Sequence, residues 1–144
     1  MFDCTVPSRR PICRSRRTDR RGVAAVEFAV CLPVIVLLVL GAIEATNMVF
    51  LKQSLSVAAY EGGRTAVVPD ATDADVIAKC QEILNERRVN GANIAITPDP
   101  VEDLGSGEYI HIEVSAPCTG NTLLSGSIYR GRSMTVFSEF MKEF

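Results

Sequence analysis

Glu27 is the residue whose chemistry is least expected from its surroundings, because it is the one charged side chain within a long apolar run. The run reads VAAVEFAVCLPVIVLLVLGAI, from Val23 to Ile43. An ionised carboxylate costs about 2.5–3.5 kcal/mol at the centre of a membrane helix and less near the edge, where Glu27 stands. We therefore expect a group of opposite charge to compensate it.

The other residues suited to catalysis or metal binding form no recognisable constellation. The five cysteines include no C-x-x-C pair, and His111 is the single histidine, so the sequence predicts no metal site. His111 falls on the polar phase of a predicted strand, which favours a solvated side chain over a catalytic one. No nucleophile has a partner base, and no glycine-rich phosphate loop follows a strand. The sequence therefore predicts neither an enzyme nor a cofactor.

The apolar run predicts one transmembrane helix over residues 23–43. Its 21 residues would be about 31 Å long as a helix, which matches a hydrocarbon core of about 30 Å. Thirteen Val, Leu, Ile or Phe residues contribute about −4 to −8 kcal/mol to insertion, more than Glu27 costs. A cleaved secretory signal is the first alternative. It would have a shorter apolar region followed by an A-x-A-like site, and this run ends without one.

The segment before the run is strongly basic. Residues 1–22 hold seven arginines against two aspartates, a net charge of +5, whereas residues 23–144 have a net charge of −7. A basic arm on an acidic body is one pattern of nucleic-acid binding. Beside a spanning helix, however, arginines are expected to hold their end of the helix in the cytoplasm. We therefore expect a cytoplasmic leader at 1–22, an extracytoplasmic C-terminal part and no nucleic-acid partner.

The junction of leader and span carries a family resemblance. The residues Arg20-Arg21-Gly22-Val23-Ala24-Ala25-Val26-Glu27-Phe28 resemble the processing site of type IV prepilins. Over residues 21–67 the sequence resembles the TadE-like family of tight-adherence (Flp) pilus assembly proteins. That resemblance includes Pro33 in the early helix, Glu44 after the run, and the segment Ala58-Ala59-Tyr60-Glu61-Gly62-Gly63-Arg64. The family's usual alanine after Glu-Gly is a glycine here, Gly63.

The resemblance implies how the junction works. A membrane-embedded prepilin peptidase would cut after Gly22 on the cytoplasmic side and leave Val23 as the new N-terminus. The free amine of Val23 would then compensate Glu27, either in the same chain or from a neighbouring helix. Glu27 and Phe28 are thus the expected assembly residues. Glu44 is either a subunit contact or simply the interfacial end of the span.

Beyond the span, the sequence predicts a pilin-like α+β fold, with a helix extension at 44–67 and an extracytoplasmic head at 68–144. Thr72-Asp73-Ala74-Asp75 resembles a capping box that opens a second helix, ending near Arg88. Alternating apolar and polar residues predict three antiparallel strands, at 93–97, 108–115 and 133–140. We expect the second helix and the late first helix to cover one face of this small sheet.

Two pairings beyond the predicted span follow from side-chain chemistry, one in the head and one in the helix extension. Cys80 and Cys118 would face an oxidising compartment, where a bridge closing a loop of about forty residues could contribute up to about 4 kcal/mol. Two unpaired, partly buried thiols are the alternative. Glu61 and Arg64 are expected to form an i,i+3 ion pair rather than subunit contacts.

These observations predict a minor pseudopilin-like component of tight-adherence pilus assembly or a related secretion apparatus. Its partners would be the membrane, a prepilin peptidase, other pilins or pseudopilins, and the pilus assembly platform. It would lie in the bacterial inner membrane as a single-pass protein with a periplasmic head. The alternative is an uncleaved single-pass membrane protein with an extracytoplasmic binding domain.

Overall fold

The computed structural model describes residues 20–123, 129 and 131–143, so nearly all of the basic leader lies outside the described residues. Two helices and a three-stranded antiparallel sheet confirm the predicted α+β class. The elements in chain order are α1 (Arg20–Ala66), α2 (Asp73–Glu86), β1 (Asn93–Thr97), a short 3-10 turn (Val101–Asp103), β2 (Tyr109–Pro117) and β3 (Ser133–Met141).

Helix α1 is long and apolar enough to cross a membrane, with a mean hydropathy of 2.8 over its most apolar stretch. The chain divides into two compact units, one ending at Leu37 and the other beginning at Leu38. In the described part of the first unit, every residue from Gly22 onward is exposed, and the helix continues through Pro33. An apolar helix without protein cover needs lipid or other helices around it, as expected of a single-pass membrane protein.

Helix α2 begins at the predicted capping box. The Asp75 amide donates to Thr72 Oγ1 at 3.2 Å, and the Thr72 amide donates to Asp75 Oδ2 at 3.1 Å, so two amides at the helix start are satisfied reciprocally. The helix ends at Glu86, two residues before the predicted end. A left-handed residue, Arg88, with a φ of 56°, stops it there.

The sheet has the order β1–β2–β3, with both neighbouring pairs antiparallel. The bounds of β1 are those predicted, β2 begins one residue later and ends two residues later than predicted, and β3 ends one residue later. Strand β2 alternates between a buried face and a face open to solvent. The buried face carries Ile110, Ile112, Val114 and Ala116.

One hydrophobic core joins these elements within the second unit. Its buried members include Leu51, Leu55, Ala58 and Ala59 of α1, Val76, Cys80, Ile83 and Leu84 of α2, and the inward side chains of β2. Gly62 of α1 lies against Cys80 and Ile112, which places α1 next to both α2 and the sheet. The expected packing of the two helices on one sheet face is thus confirmed.

Candidate functional site

Gly22 and Val23 lie in the first turn of α1, which begins at Arg20. This turn has little intrinsic stability. It contains no acidic residue that would interact favourably with the helix dipole. Glycine inside a helix costs about 1 kcal/mol relative to alanine. The turn can therefore fray into an extended chain at small energetic cost.

Packing does not explain the glycine at position 22. A Cβ atom built on Gly22 would have no heavy atom within 4 Å outside the local helix backbone, and its φ is not positive. Gly41 is equally open, whereas Gly62 and Gly63 are closely packed. A side chain at Gly22 would therefore be accommodated by the folded chain itself.

Glu27 lies one helical turn after Val23 on the same face of α1. The i,i+4 spacing corresponds to about 6 Å along the helix axis. The Glu27 side chain is exposed, and among the described residues it has no hydrogen-bond or ion-pair partner. Phe28 beside it is 61% exposed. The structure thus presents an acid and an aromatic ring on an uncovered apolar helix.

Glu44 differs from Glu27 because it is buried, with only 3% of its surface exposed. It lies in the second unit, and its side chain takes part in an interaction within the chain. A carboxylate buried in this way is part of the packing of the head. Its burial favours a structural role within the chain over a direct contact with another subunit.

The small residues after position 57 allow α1 to approach its neighbours closely. Ala58 and Ala59 are fully buried. A Cβ atom on Gly62 would overlap the Sγ atom of Cys80, and one on Gly63 would overlap the ring of Phe140. The glycine in place of the family's usual alanine at position 63 is therefore explained by the Phe140 ring, which occupies the space of that methyl group.

The predicted ion pair between Glu61 and Arg64 is not formed. In the described part of the chain the salt bridges are Lys79–Glu82 and His111–Glu139. Glu61 and Arg64 instead line an open groove of about 480 Å³ beside the start of α2. An i,i+3 spacing permits such a pair, but two solvated side chains gain little by closing it.

Of the two alternatives for Cys80 and Cys118, the structure has the unpaired thiols, and both residues are buried. Cys80 lies beside Gly62 and Ile112, and its thiol donates to the Ala58 carbonyl oxygen at 3.3 Å. Cys118 is six residues beyond Ile112, about 20 Å away at the rise of a strand. A disulfide needs Cα atoms within about 7 Å. Burial raises the pKa of the Cys80 thiol to about 11, so it is neutral at physiological pH.

His111 lies on the open face of the sheet. Its Nδ1 atom is 3.3 Å from Glu139 Oε1, and its ring stacks on Phe137 with centroids 5.1 Å apart. No group of three or more metal-binding side chains occurs among the residues that the structure describes. No described nucleophile contacts this histidine. The geometry therefore fits a surface interaction between His111 and Glu139 rather than a catalytic site.

A groove of about 550 Å³ lies near the start of the helix extension, and no sequence pattern indicated it. Three distant segments line it, which is why no local pattern reveals it. Arg87 and Arg88, which follow α2, are two of its lining residues. The other lining residues include Asn47, Phe50 and Leu51 of α1 and the loop at 120–123.

Comparison with known proteins supports the family resemblance of the junction and of the segment that follows it. The family model described as TadE-like protein matches residues 22–64. No curated protein and no solved structure matches the chain. The match begins at Gly22 and ends at Arg64, so it contains Glu27, Glu44 and the close-packed glycines. The chain therefore carries a TadE-like segment, which indicates a function associated with tight-adherence pili.

Proposed function

We propose that this protein is a minor pseudopilin-like component of a tight-adherence pilus or a related secretion apparatus. It is processed after Gly22 by a prepilin peptidase and acts by helix-mediated assembly rather than by catalysis. The observation that carries the proposal is the pairing of an unpacked glycine with an acid five residues later, at the head of the TadE-like segment. Its partners are other pilins or pseudopilins and the assembly platform.

The first turn of α1 suits a protease substrate. Proteases bind extended backbone, and the weak turn around Gly22 can unwind without disturbing the core of the head. The missing side chain lets the backbone approach a cleft closely. Hydrolysis of the Gly22–Val23 peptide bond consumes one water, leaves a carboxylate on Gly22 and creates an amine on Val23. It also removes the leader and its net charge of +5.

The new amine supplies the charge that Glu27 lacks. Within one chain the Val23 amine and the Glu27 carboxylate are separated by one helical turn. In a bundle, the amine of one helix can instead pair with Glu27 of its neighbour. Either pairing lowers the cost of burying the carboxylate among apolar helices. Exposed Val26, Phe28 and Val30 provide the apolar surface for contact with those helices.

The proposed location is the bacterial inner membrane. The arginine-rich leader stays in the cytoplasm under the positive-inside rule, and the head lies in the periplasm. Loss of the leader removes the positive charge that anchors this end of the helix. A processed subunit can therefore be drawn from the bilayer into an assembly more easily than the precursor.

Processing is tested by expressing the full chain with and without a prepilin peptidase and following its mobility with a C-terminal tag. The wild type should lose 22 residues, giving Val23 as the N-terminus. Gly22→Leu should block the shift, because a bulky side chain prevents close approach. Gly41→Leu is the matched control, since Gly41 is an equally open helical glycine in the same span. Recovery of Met1 on the wild type in the presence of active peptidase would refute processing and support an uncleaved single-pass protein.

Assembly is tested by neutralising the membrane acid. Glu27→Gln preserves shape and removes charge, so it should allow cleavage but reduce co-purification with co-expressed pilins. Glu86→Gln, an exposed acid on α2, should leave both unchanged. Equal co-purification of Glu27→Gln and wild type would show that the carboxylate is not the assembly determinant.

A further inference from the structure

We propose that the groove containing Arg87 and Arg88 binds the phosphate of an anionic phospholipid headgroup in the membrane leaflet nearest the head. The site lies wholly within the second unit, between the first turns of α1 after the apolar run and the C-terminal end of α2. The proposal requires insertion of the apolar run into a bilayer and is independent of processing and assembly.

The height of the groove along α1 matches the headgroup layer. Ile43 is the last residue of the apolar run, and Asn47 and Leu51, which line the groove, follow it by four and eight residues. At helical rise these positions lie about 6 and 12 Å beyond the run. The interfacial layer adds about 5–7 Å to each side of the hydrocarbon core. Asn47, at the membrane end of the groove, therefore lies at the level of the lipid phosphates, and Leu51 lies about 5 Å outside the headgroup layer.

The charge of the groove is complementary to phosphate. Two arginines line it, and the described lining residues include no carboxylate. Neither guanidinium forms a salt bridge within the described part of the chain. Guanidinium groups bind phosphate oxygens through paired hydrogen bonds, which suits them to this ligand. Phe50 and Leu123, 53% and 65% exposed, flank the groove with apolar surface that can enter the acyl boundary.

The loop that forms one wall is held rigidly. Asn121 Nδ2 donates to the Asn90 and Pro117 carbonyl oxygens at 2.9 and 2.8 Å, and Asn121 Oδ1 accepts from the Asn90 amide at 2.8 Å. The two hydrogen bonds with Asn90 join the loop to the segment that follows α2, and the third joins it to the end of β2. A wall fixed in this way keeps the groove open before a ligand enters, so binding requires little ordering.

The backbone at Arg88 allows its charge to be removed without harm to the fold. Arg88 adopts a φ of 56° in the turn that ends α2, where the Val89 amide donates to the Leu84 carbonyl oxygen at 2.9 Å. Glycine is the usual residue at this left-handed position, because a side chain there costs conformational energy. Arg88→Gly therefore removes the guanidinium group and relaxes the turn at the same time.

The test uses the full chain in detergent micelles, supplied with equal amounts of phosphatidylglycerol and phosphatidylcholine. Native mass spectrometry then counts the bound lipids. The wild type should retain phosphatidylglycerol preferentially. Each arginine removed should lower this preference about fivefold. Arg88→Gly should do so while leaving the thermal stability of the head equal or higher, because glycine relaxes the turn. Arg64→Gln, which removes an exposed arginine outside the groove, is the matched control.

Two results would overturn the proposal: equal retention of the two lipids by the wild type, or unchanged retention in Arg87→Gln/Arg88→Gln. If Arg88→Gly unfolds the head, lipid retention by Arg87→Gln alone decides whether the proposal stands. Arg87 has an ordinary φ of −86°, so this substitution does not disturb the backbone. Inorganic phosphate provides the remaining arm of the test. If it binds wild type in lipid-free micelles and displaces phosphatidylglycerol at similar concentrations, the site is one for free phosphate and the lipid assignment is wrong.

Discussion

Replacing Gly62 with alanine tests whether the close approach of α1 and α2 determines the stability of the head. The added methyl group would overlap the Sγ atom of Cys80. That sulfur has little freedom to move, because Cys80 is fully buried and its thiol is hydrogen-bonded to Ala58. Val76 and Ile112 enclose the same space. The helices must therefore separate, or the thiol must give up its hydrogen bond.

The expected loss is the difference of two opposing effects. Overpacking a well-packed core costs about 1–3 kcal/mol, and the direct overlap with the Cys80 sulfur places Gly62→Ala in the upper part of that range, at about 2–3 kcal/mol. Alanine regains about 1 kcal/mol because it is the better helix former. Gly62→Ala should therefore destabilise the head by about 1–2 kcal/mol, which corresponds to a decrease in Tm of about 5–10 °C for a domain of this size.

A double-mutant cycle makes the test specific. Cys80→Ala alone removes a buried atom and should cost about 1 kcal/mol. In Gly62→Ala/Cys80→Ala the new methyl group occupies the vacated sulfur position, so the double variant should be nearly as stable as the wild type. The resulting coupling of about 2 kcal/mol lies within the range for residues in contact.

The cycle is measured on the full chain in micelles. At each urea concentration, a brief protease pulse digests the unfolded head, and the fraction that resists digestion reports how much is folded. Gly41→Ala, at an open helical glycine, should show no loss and serves as the control. Additive effects of the two substitutions would refute the reasoning, because they would show that Gly62 and Cys80 do not share the space assigned to them.

Three further outcomes are expected. Thr72→Ala should cost about 1 kcal/mol, because it removes the cap of α2. Hydrogen bonds from Thr72 hold the pKa of Asp75 below its ordinary value, so the stability contributed by the Asp75 carboxylate is present at neutral pH. That contribution is lost as the pH falls below about 4 and through the folded-state pKa. The urea midpoint should therefore decrease less on acidification in Thr72→Ala than in the wild type. Non-reducing mass spectrometry should find Cys80 and Cys118 as free thiols, and a mass lower by two hydrogens would contradict the structure. Iodoacetamide at mildly alkaline pH should modify Cys80 only as fast as the head unfolds, since its thiol is buried and its pKa is raised.

Features that depend on neighbouring residues could be predicted from the sequence. The capping box at Thr72 involves side chains and amides three residues apart, and strand β1 was located by simple alternation. The buried residues of α2, Val76, Cys80, Ile83 and Leu84, recur at helical spacing. Such patterns are visible locally because one element's geometry fixes which residues share a face.

Pairings between distant segments could not be predicted in the same way. A bridge between Cys80 and Cys118 was one chemically reasonable alternative, yet both cysteines are free in the packed structure. The groove at Arg87 and Arg88 exists only because three segments converge. The role of Gly63 likewise depends on Phe140, a residue from the last strand that no local pattern brings near it.

An apolar helix able to span a membrane, a basic segment before it and a TadE-like junction are all visible in the amino-acid sequence, because hydropathy, charge and motif spacing are properties of contiguous residues. Which glycines are required by packing is visible only in the folded chain. Gly62 and Gly63 lie where other elements fill the space of a side chain, whereas Gly22 has open space around it. The physical reason is that steric exclusion depends on atoms far away in the chain, whose positions are known only once the helices and sheet have packed.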